Sequence, residues 1–338
     1  MNFSKLSSLL SKKSKNPFVS FIGAPFSGGQ PKKGTELGPK RLREYNVVEI
    51  MKLDTGLPVE DCGDVEIKEF DGSTNTSKLK NVDYVSQFCK SLHKKVREES
   101  ERGGFALTIG GDHSIAIGSI SGVCSSFPDT SVIWVDAHAD INTYESTISG
   151  IFEFSFLLLI TNSKQNKQKI GNMHGMPVSF LLGFGQKMKE FEWLSPCLSP
   201  ERICFIGLRD LDPLEKLFLK ELKIKSFWAE DVERMGIREV TKQALEAVDP
   251  EGKRPLHMSF DVDAIDPLEM PSTGTAVRGG LSLREGKYIC ESLYRTNRLV
   301  GLDLVEINPL LGNKEQVDIT LEASTHLILS ALGKNCER

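Results

Sequence analysis

The segment 136–140 constrains the fold more than any other part of the sequence. It follows Ser131–Val135, where four successive apolar residues, three of them β-branched, predict a strand that is buried on both faces. Asp136, His138 and Asp140 occupy alternate positions, which in an extended chain turns their side chains to one side. The end of one buried strand therefore offers two carboxylates and an imidazole to a single point.

A second strand end of the same kind lies far downstream. The predicted strand 256–260 leads into Asp261 and Asp263, whose spacing again places both carboxylates on one side. If the two strand ends meet, four aspartates converge, and unpaired carboxylates in a partly dry cleft carry a large free-energy cost. Two divalent cations are the simplest way to neutralise them. Solvated turn aspartates are the alternative, which is disfavoured because it must hold at both strand ends.

A third strand end carries a histidine. The predicted strand 105–109 enters Gly110 and Gly111, which permit a tight turn, and then reaches Asp112 and His113. An isolated histidine is more often structural. The position of His113 at the carboxyl end of another apolar strand, where open α/β sheets bind their ligands, favours a role in a site.

Strand and helix patterns alternate along the chain. Strands are predicted at 18–22, 105–109, 131–135, 202–206, 224–228, 256–260 and 299–305. Helices are predicted at 78–99, from 115 onward, and at 214–222, 237–248, 283–294 and 317–332. Such alternation predicts an α/β fold with a parallel sheet that is covered by helices on both sides.

The composition favours a small-molecule partner. The 42 basic and 46 acidic residues give a net charge of −4 without basic stripes, so nothing supports binding to nucleic acid or to a membrane surface. No apolar run reaches the length of about 20 residues that a membrane span needs. The seven cysteines are scattered and never form a CxxC motif, which predicts free thiols in a reducing compartment.

The first residues differ from the rest of the chain. Segment 1–15 contains four lysines and no acidic residue, and we predict that 1–17 is a flexible N-terminal extension of a cytoplasmic protein. A mitochondrial presequence is the alternative, although such segments favour arginine, which is absent here.

Five motifs together resemble one enzyme family. They are GGDHS at 110–114, DAHADIN at 136–142, NMHG at 172–175, SFDVDAIDP at 259–267 and EINP at 306–309. With GLRDLDPLE at 207–215 and the run at 274–286, they are similar to the arginases of the ureohydrolase family over nearly the whole chain. The resemblance implies a single doubly wound α/β domain over 18–338, with a central parallel sheet flanked by helices as in arginases and deacetylases.

The resemblance also implies two Mn²⁺ ions per chain. One ion would be bound by His113, Asp136, Asp140 and Asp261, and the other by His138, Asp136, Asp261 and Asp263. The donor types agree with this, because carboxylates and imidazoles without a thiolate favour a hard octahedral ion over tetrahedral zinc. Two such ions can share a water and lower its pKa, so that a bridging hydroxide is available near neutral pH.

The reaction implied by the resemblance is hydrolysis of L-arginine to L-ornithine and urea. Glu306 would pair with the guanidinium group, because a carboxylate is its natural bidentate partner. Asp140 would orient the hydroxide, and His174 would give a proton to the leaving amine.

The same matching assigns residues that bind the amino-acid end of the substrate. Residues matched to contacts with the α-carboxylate are Asn142, Ser149 and Asn172. Residues matched to contacts near the α-amino group are Asp212 and Glu215, and Thr275 matches a further pocket position. Asn and Ser are also ordinary turn residues, so only the match to the family pattern indicates that Asn142, Ser149 and Asn172 bind substrate.

One segment departs from the family pattern. In the family, the serine and the asparagine that bind carboxylate are separated by a single glycine, whereas residues 151–171 are inserted here between Ser149-Gly150 and Asn172. We favour a retained intron or splice form over a family-specific loop. The closure entropy of the longer loop costs only about 1 kcal/mol, so the fold should survive. Displacement of Asn172 and His174 is expected to impair turnover.

Alternative functions follow from this departure. One is a catalytically impaired, metal-binding member of the family. Another is an agmatinase-type ureohydrolase. Ser149 and the NMHG motif argue against it, because they match residues that bind a carboxylate, and agmatine has no carboxylate. The resemblance further implies a homotrimer, with L-arginine as the small-molecule partner.

Overall fold

One sheet of eight parallel strands organises the chain in the computed structural model. The structure describes residues 8–13, 17–66, 79–143, 171–184 and 188–334. The strands are β1 Phe18–Ala24, β2 Val59–Asp64, β3 Gly104–Gly110, β4 Ser131–Val135, β5 Ile203–Leu208, β6 Lys225–Trp228, β7 Leu256–Asp261 and β8 Leu299–Val305. Their order across the sheet is β2-β1-β3-β8-β7-β4-β5-β6.

Helices form the crossovers that parallel strands require. They are α1 Ser8–Lys13, α2 Gly38–Glu44, α3 Val47–Thr55, α4 Val82–Glu101, α5 Ala116–Ser126, α6 Pro177–Leu181, α7 Pro213–Glu221, α8 Ala229–Met235, α9 Ile237–Val248, α10 Leu283–Arg295 and α11 Lys314–Ala331. The predicted α/β fold, with a parallel sheet flanked by helices, is confirmed. None of the described helices combines the length and the apolar character that a membrane span requires.

The strands that the apolar sequence pattern predicted are mainly those whose residues are buried. Strands β1, β3, β4, β5, β7 and β8 are buried at every position. The edge strand β2 was not predicted, because its sequence VEDCGD is mostly exposed and lacks an apolar pattern. The predicted strand starts at 202 and 224 are each one residue early, and helix α4 begins at Val82.

The centre of the sheet positions the candidate site. Strands β3, β8, β7 and β4 are consecutive neighbours in the sheet although they are distant in sequence. Their carboxyl ends lead to His113, Glu306, Asp261 and Asp136 in that order. The four strand ends that carry the predicted chemistry therefore share one edge of the sheet.

The N-terminal segment contains a helix that packs on the domain. Within 1–17, Ser8–Lys13 forms a helix, and Leu10 is fully buried against the main hydrophobic cluster. The Ser8 backbone N–H donates to the Asn297 carbonyl at 3.0 Å, which ties this helix to the turn before β8. Ser149 and the inserted residues 151–170 lie outside the described residues.

Candidate metal centre and substrate cavity

His113 faces three carboxylates in the interior. It begins the 3₁₀ turn that follows β3, and its Nδ1 atom lies 3.1 Å from Asp136 Oδ2, 3.2 Å from Asp140 Oδ2 and 3.3 Å from Asp261 Oδ2. Its ring stacks on Trp134 with the centroids 4.1 Å apart, and this contact fixes the plane of the imidazole.

His138 faces a second pair of carboxylates. Its Nδ1 atom lies 3.3 Å from Asp136 Oδ1 and 3.2 Å from Asp263 Oδ2. Its Nε2 atom lies 3.6 Å from Asp210 Oδ2. Asp136 thus presents one oxygen to each imidazole and stands between the two groups of side chains.

Hydrogen bonds orient these carboxylates. Trp134 Nε1 donates to Asp136 Oδ2 at 2.9 Å. The Asp263 backbone N–H donates to Asp261 Oδ1 at 2.8 Å, and the Thr275 hydroxyl donates to Asp263 Oδ2 at 2.7 Å. The carboxylates are therefore held in place by the fold itself.

The electrostatics of this cluster fit a cation site. Two groups of potential ligands lie close enough to share an ion: His113, Asp136 and Asp140, and Asp136, His138 and Asp263. The buried Nδ1 atom of His113 has no hydrogen-bond partner among the described residues, which leaves its lone pair free to bind a metal. Desolvation alone would lower the pKa of His113, but the nearby carboxylates of Asp136, Asp140 and Asp261 raise it well above its ordinary value, so this cluster attracts positive charge strongly.

Asp261 shows the same excess of negative charge. Burial, followed by repulsion from Asp263 and Asp136, raises the pKa of its carboxyl well above the ordinary value. A bound cation would neutralise these carboxylates directly, whereas without one the burial and mutual repulsion favour the protonated form of Asp261. The residues present therefore fit hard divalent cations.

A cavity of about 430 Å³ opens above this cluster. The predicted site residues that line it are His138, Asp140, Asn142, Asn172, His174, Asp212, Glu215, Asp261 and Thr275. Of the other predicted residues, His113, Asp136, Asp263 and Glu306 are buried next to them, and Ser149 lies outside the described residues. The structure thus brings the described members of the predicted site together.

Glu306 is a buried carboxylate that is held at both oxygens. The His113 backbone N–H donates to its Oε1 at 2.9 Å, and Gln30 Nε2 donates to its Oε2 at 2.8 Å. Burial, followed by repulsion from Asp112, raises its pKa to about 8. Its backbone φ of 67° lies in the left-handed region, as does that of Asp140 at 48°. Non-glycine residues in this region are uncommon and concentrate at functional sites.

The residues that follow the insertion stand in the cavity wall. The His174 backbone N–H donates to the Gly29 carbonyl at 3.1 Å, and its Nδ1 atom lies 4.0 Å from Glu306 Oε1. Asn172 is nearly buried and accepts a hydrogen bond from Lys80 Nζ at 3.1 Å. The displacement of Asn172 and His174 that the insertion led us to expect is therefore not seen.

Asp212 and Glu215 share the first turn of α7. The Asp212 backbone N–H donates to Glu215 Oε2 at 2.9 Å, as part of a capping box at this helix start. Burial raises the pKa of Glu215 to about 8. The predicted pair therefore stabilises the helix start while it lines the cavity.

Gln30, Lys32 and Arg209 are among the residues of the site that were not predicted. Gln30 and Lys32 line the cavity, and the ammonium group of Lys32 donates to the Gly274 carbonyl. Arg209 donates to the carbonyls of Asp263 and Val277 and so anchors the segment after β7. Gln30 follows β1, so the rule that parallel sheets carry ligands at their carboxyl ends could have located it.

Comparison with known proteins gives one consistent family. The family model described as the arginase family matches residues 18–333. The arginase of Glaciozyma antarctica is 43% identical over 93% of this chain and 87% of its own length. The solved arginase of Bacillus caldovelox is 33% identical, with a TM-score of 0.80 over 94% of this chain and 98% of that one. The Entamoeba histolytica arginase solved with L-ornithine is 28% identical, with a TM-score of 0.75 over 93% and 98%.

Proposed function

Because this chain belongs to the arginase family, we propose that it hydrolyses L-arginine to L-ornithine and urea. The observation that carries the proposal is the set of four aspartates and two imidazoles beneath a cavity, next to the buried carboxylate of Glu306. The ornithine complex of the Entamoeba histolytica arginase supports ornithine as the product.

The proposed cofactor is a pair of Mn²⁺ ions. His113, Asp136, Asp140 and Asp261 would hold one ion, and His138, Asp136, Asp261 and Asp263 would hold the other. This donor set lacks thiolates and suits a hard ion. When bound, the two ions supply the Lewis acidity that makes a water nucleophile available near neutral pH.

Glu306 would hold the guanidinium group of the substrate. A buried carboxylate forms strong paired hydrogen bonds with that planar cation. Gln30 and the His113 backbone N–H fix both oxygens of Glu306 before substrate binds, so little conformational entropy is lost on binding. The guanidinium carbon would then stand above the aspartate cluster.

Asp140 and His174 would serve the chemical step. Asp140 lines the cavity beside His113 and can accept a hydrogen bond from the nucleophilic water, which orients it. His174 is partly exposed in the cavity wall and can give a proton to the leaving amine, because an imidazole titrates near neutral pH.

The amino-acid end of the substrate would bind at a different part of the cavity. Asn142, Asn172 and Ser149 are proposed to bind its carboxylate. Asp212 and Glu215 are proposed to bind near its ammonium group, and Thr275 lines a further part of the pocket. Agmatine has no carboxylate for the first group, so an agmatinase is the less favoured candidate.

A urea-release assay tests the proposal. The full chain is freed of metal, reloaded with Mn²⁺ and assayed with L-arginine and with agmatine. We expect kcat/KM for arginine to exceed that for agmatine by about 10²-fold or more, because unpaired polar groups in a site penalise an analogue that lacks their partner. Greater turnover of agmatine would favour the agmatinase, and no urea from either substrate would favour a non-catalytic metal-binding protein.

The insertion provides a separate prediction. Deleting residues 151–171 leaves Gly150 next to Asn172, which restores the family loop. We expect the deletion to leave kcat nearly unchanged, because Asn172 and His174 already stand in the cavity of the full chain. Steady-state kinetics of the two proteins provide the measurement. If deletion instead raises kcat by about 10²-fold or more, the insertion misplaces the proton-transfer group.

Assembly and location are further proposals. We propose a homotrimer, from the resemblance to the family, and analytical ultracentrifugation of the full chain tests it. We propose a cytoplasmic location because six described cysteines are free thiols, as suits a reducing compartment. Imaging of the full chain with a C-terminal tag separates this from the mitochondrial alternative.

A further inference from the structure

The segment 79–81 connects two walls of the cavity. Lys80 Nζ donates to Asn172 Oδ1 at 3.1 Å, and the Lys80 backbone N–H donates to the Gly171 carbonyl at 2.8 Å. Asn81 Nδ2 donates to the Gly28 carbonyl at 2.9 Å, just before Gln30. The segment just before helix α4 is thereby bonded to the end of the insertion, to Asn172 after it, and to the loop that follows β1.

The contact with Lys80 decides which atoms Asn172 offers to a ligand. An ammonium group has three donors and no acceptor, so it can only meet the amide oxygen. With Oδ1 bonded to Lys80, the Nδ2 atom and its two hydrogens remain for a ligand. Asn172 lines the cavity, so this wall presents a donor. Hydrogen-bond donors are what a carboxylate requires.

The charge around the cavity makes a nearby cation important. The lining includes the carboxyl group of Asp212, which is not a proposed metal ligand, while Lys32 bonds to the Gly274 carbonyl. Such a lining attracts the guanidinium and ammonium groups of an amino acid but repels its carboxylate. The ammonium of Lys80, one hydrogen bond away from the wall, opposes that repulsion.

We propose that Lys80 is a specificity-determining residue for substrates with an α-carboxylate. It holds Asn172 with its amide donors available and supplies positive charge next to the carboxylate of the bound amino acid. The proposal rests on the proposed arginine hydrolysis, because it assigns the carboxylate to the Asn172 wall. Lys80 acts partly through Asn172 and is a positioning residue in that respect.

Two ligands that differ only in the carboxylate isolate this role. L-ornithine and putrescine are titrated by calorimetry into the full chain loaded with Mn²⁺, so the readout is binding and does not need turnover. The variants are Lys80→Met, which removes the charge and the donor, and Lys80→Arg, which keeps both. Lys33→Met is the matched control, because it removes one charge beside the cavity-lining Lys32.

The expected result is a selective loss. Lys80→Met should weaken ornithine binding by about tenfold and leave putrescine binding nearly unchanged. Lys80→Arg should recover most of the ornithine affinity, and Lys33→Met should leave both ligands unaffected. Equal weakening of both ligands by Lys80→Met, or unchanged ornithine binding, would overturn the proposal.

The outcome separates this proposal from the proposed function. Failure of the unaltered chain to release urea from arginine would refute the proposed reaction, whichever ligand it binds. Urea release by the unaltered chain, combined with equal affinities for ornithine in the unaltered chain and Lys80→Met, would refute only the role of Lys80.

Discussion

Replacing Glu306 by Gln is expected to leave both metal ions bound and to reduce kcat/KM for arginine by about 10²- to 10³-fold. Glutamine keeps the shape of the side chain but removes the charge that pairs with the guanidinium. Its amide group would also meet an N–H donor on either side, because His113 and Gln30 donate to the two oxygens of Glu306. Urea release and the manganese content of the dialysed protein provide the measurements.

A matched control is available in the same chain. Glu99 is also buried, but it precedes β3 and so lies at the opposite edge of the sheet from the site. Glu99→Gln should therefore change stability without changing kcat/KM. If Glu306→Gln loses manganese, Glu306 contacts a metal ion and its assigned role is wrong.

Asp136→Asn is expected to lose most of the bound manganese and at least about 100-fold in activity. Loss of a group that only supports a metal ligand typically costs about 10- to 100-fold, so loss of a shared ligand should cost more. Asp136 faces both imidazoles, whereas Asp263 faces His138. Asp261, the second proposed bridging ligand, should behave like Asp136.

Asp263→Asn provides the comparison for this prediction. It should retain about one ion per chain, since the group around His113 does not include it. Bound manganese is measured by atomic absorption after dialysis, beside kcat. Full occupancy in Asp136→Asn, or equal losses in Asp136→Asn and Asp263→Asn, would contradict a shared Asp136.

Local sequence patterns predicted much of this site, because most of its functional side chains lie at the ends of strands. The alternation in 136–140 and the pair Asp261 and Asp263 are short-range features, and buried strands carry a strong apolar signal. Parallel pairing then brings such ends to one edge of the sheet. The prediction of the candidate metal site therefore required few assumptions beyond the location of the strands.

Other parts depend on contacts that sequence spacing does not encode. Gln30 is hydrogen-bonded to Glu306 although 276 sequence positions separate them, and Lys80 is hydrogen-bonded to Asn172 across a separation of 92 positions. Both are ordinary polar residues in loops, and only the tertiary fold gives them their partners. The positions of Asn172 and His174 depend on such contacts too, because hydrogen bonds to Lys80 and Gly29 hold these two residues after the insertion.

The sheet order also has a consequence for how the protein is made. Strands β2, β1 and β3 form one half of the sheet, and β7, β4, β5 and β6 form the other, so the two halves meet only through β8. Among the described strands, β8 is the last in sequence and so the last to be synthesised. We therefore expect His113 to reach its final position beside Asp136 and Asp261 only once β8 has paired with both β3 and β7. Such long-range pairing is slow, and metal binding will lock only finished molecules, because the ligands converge last.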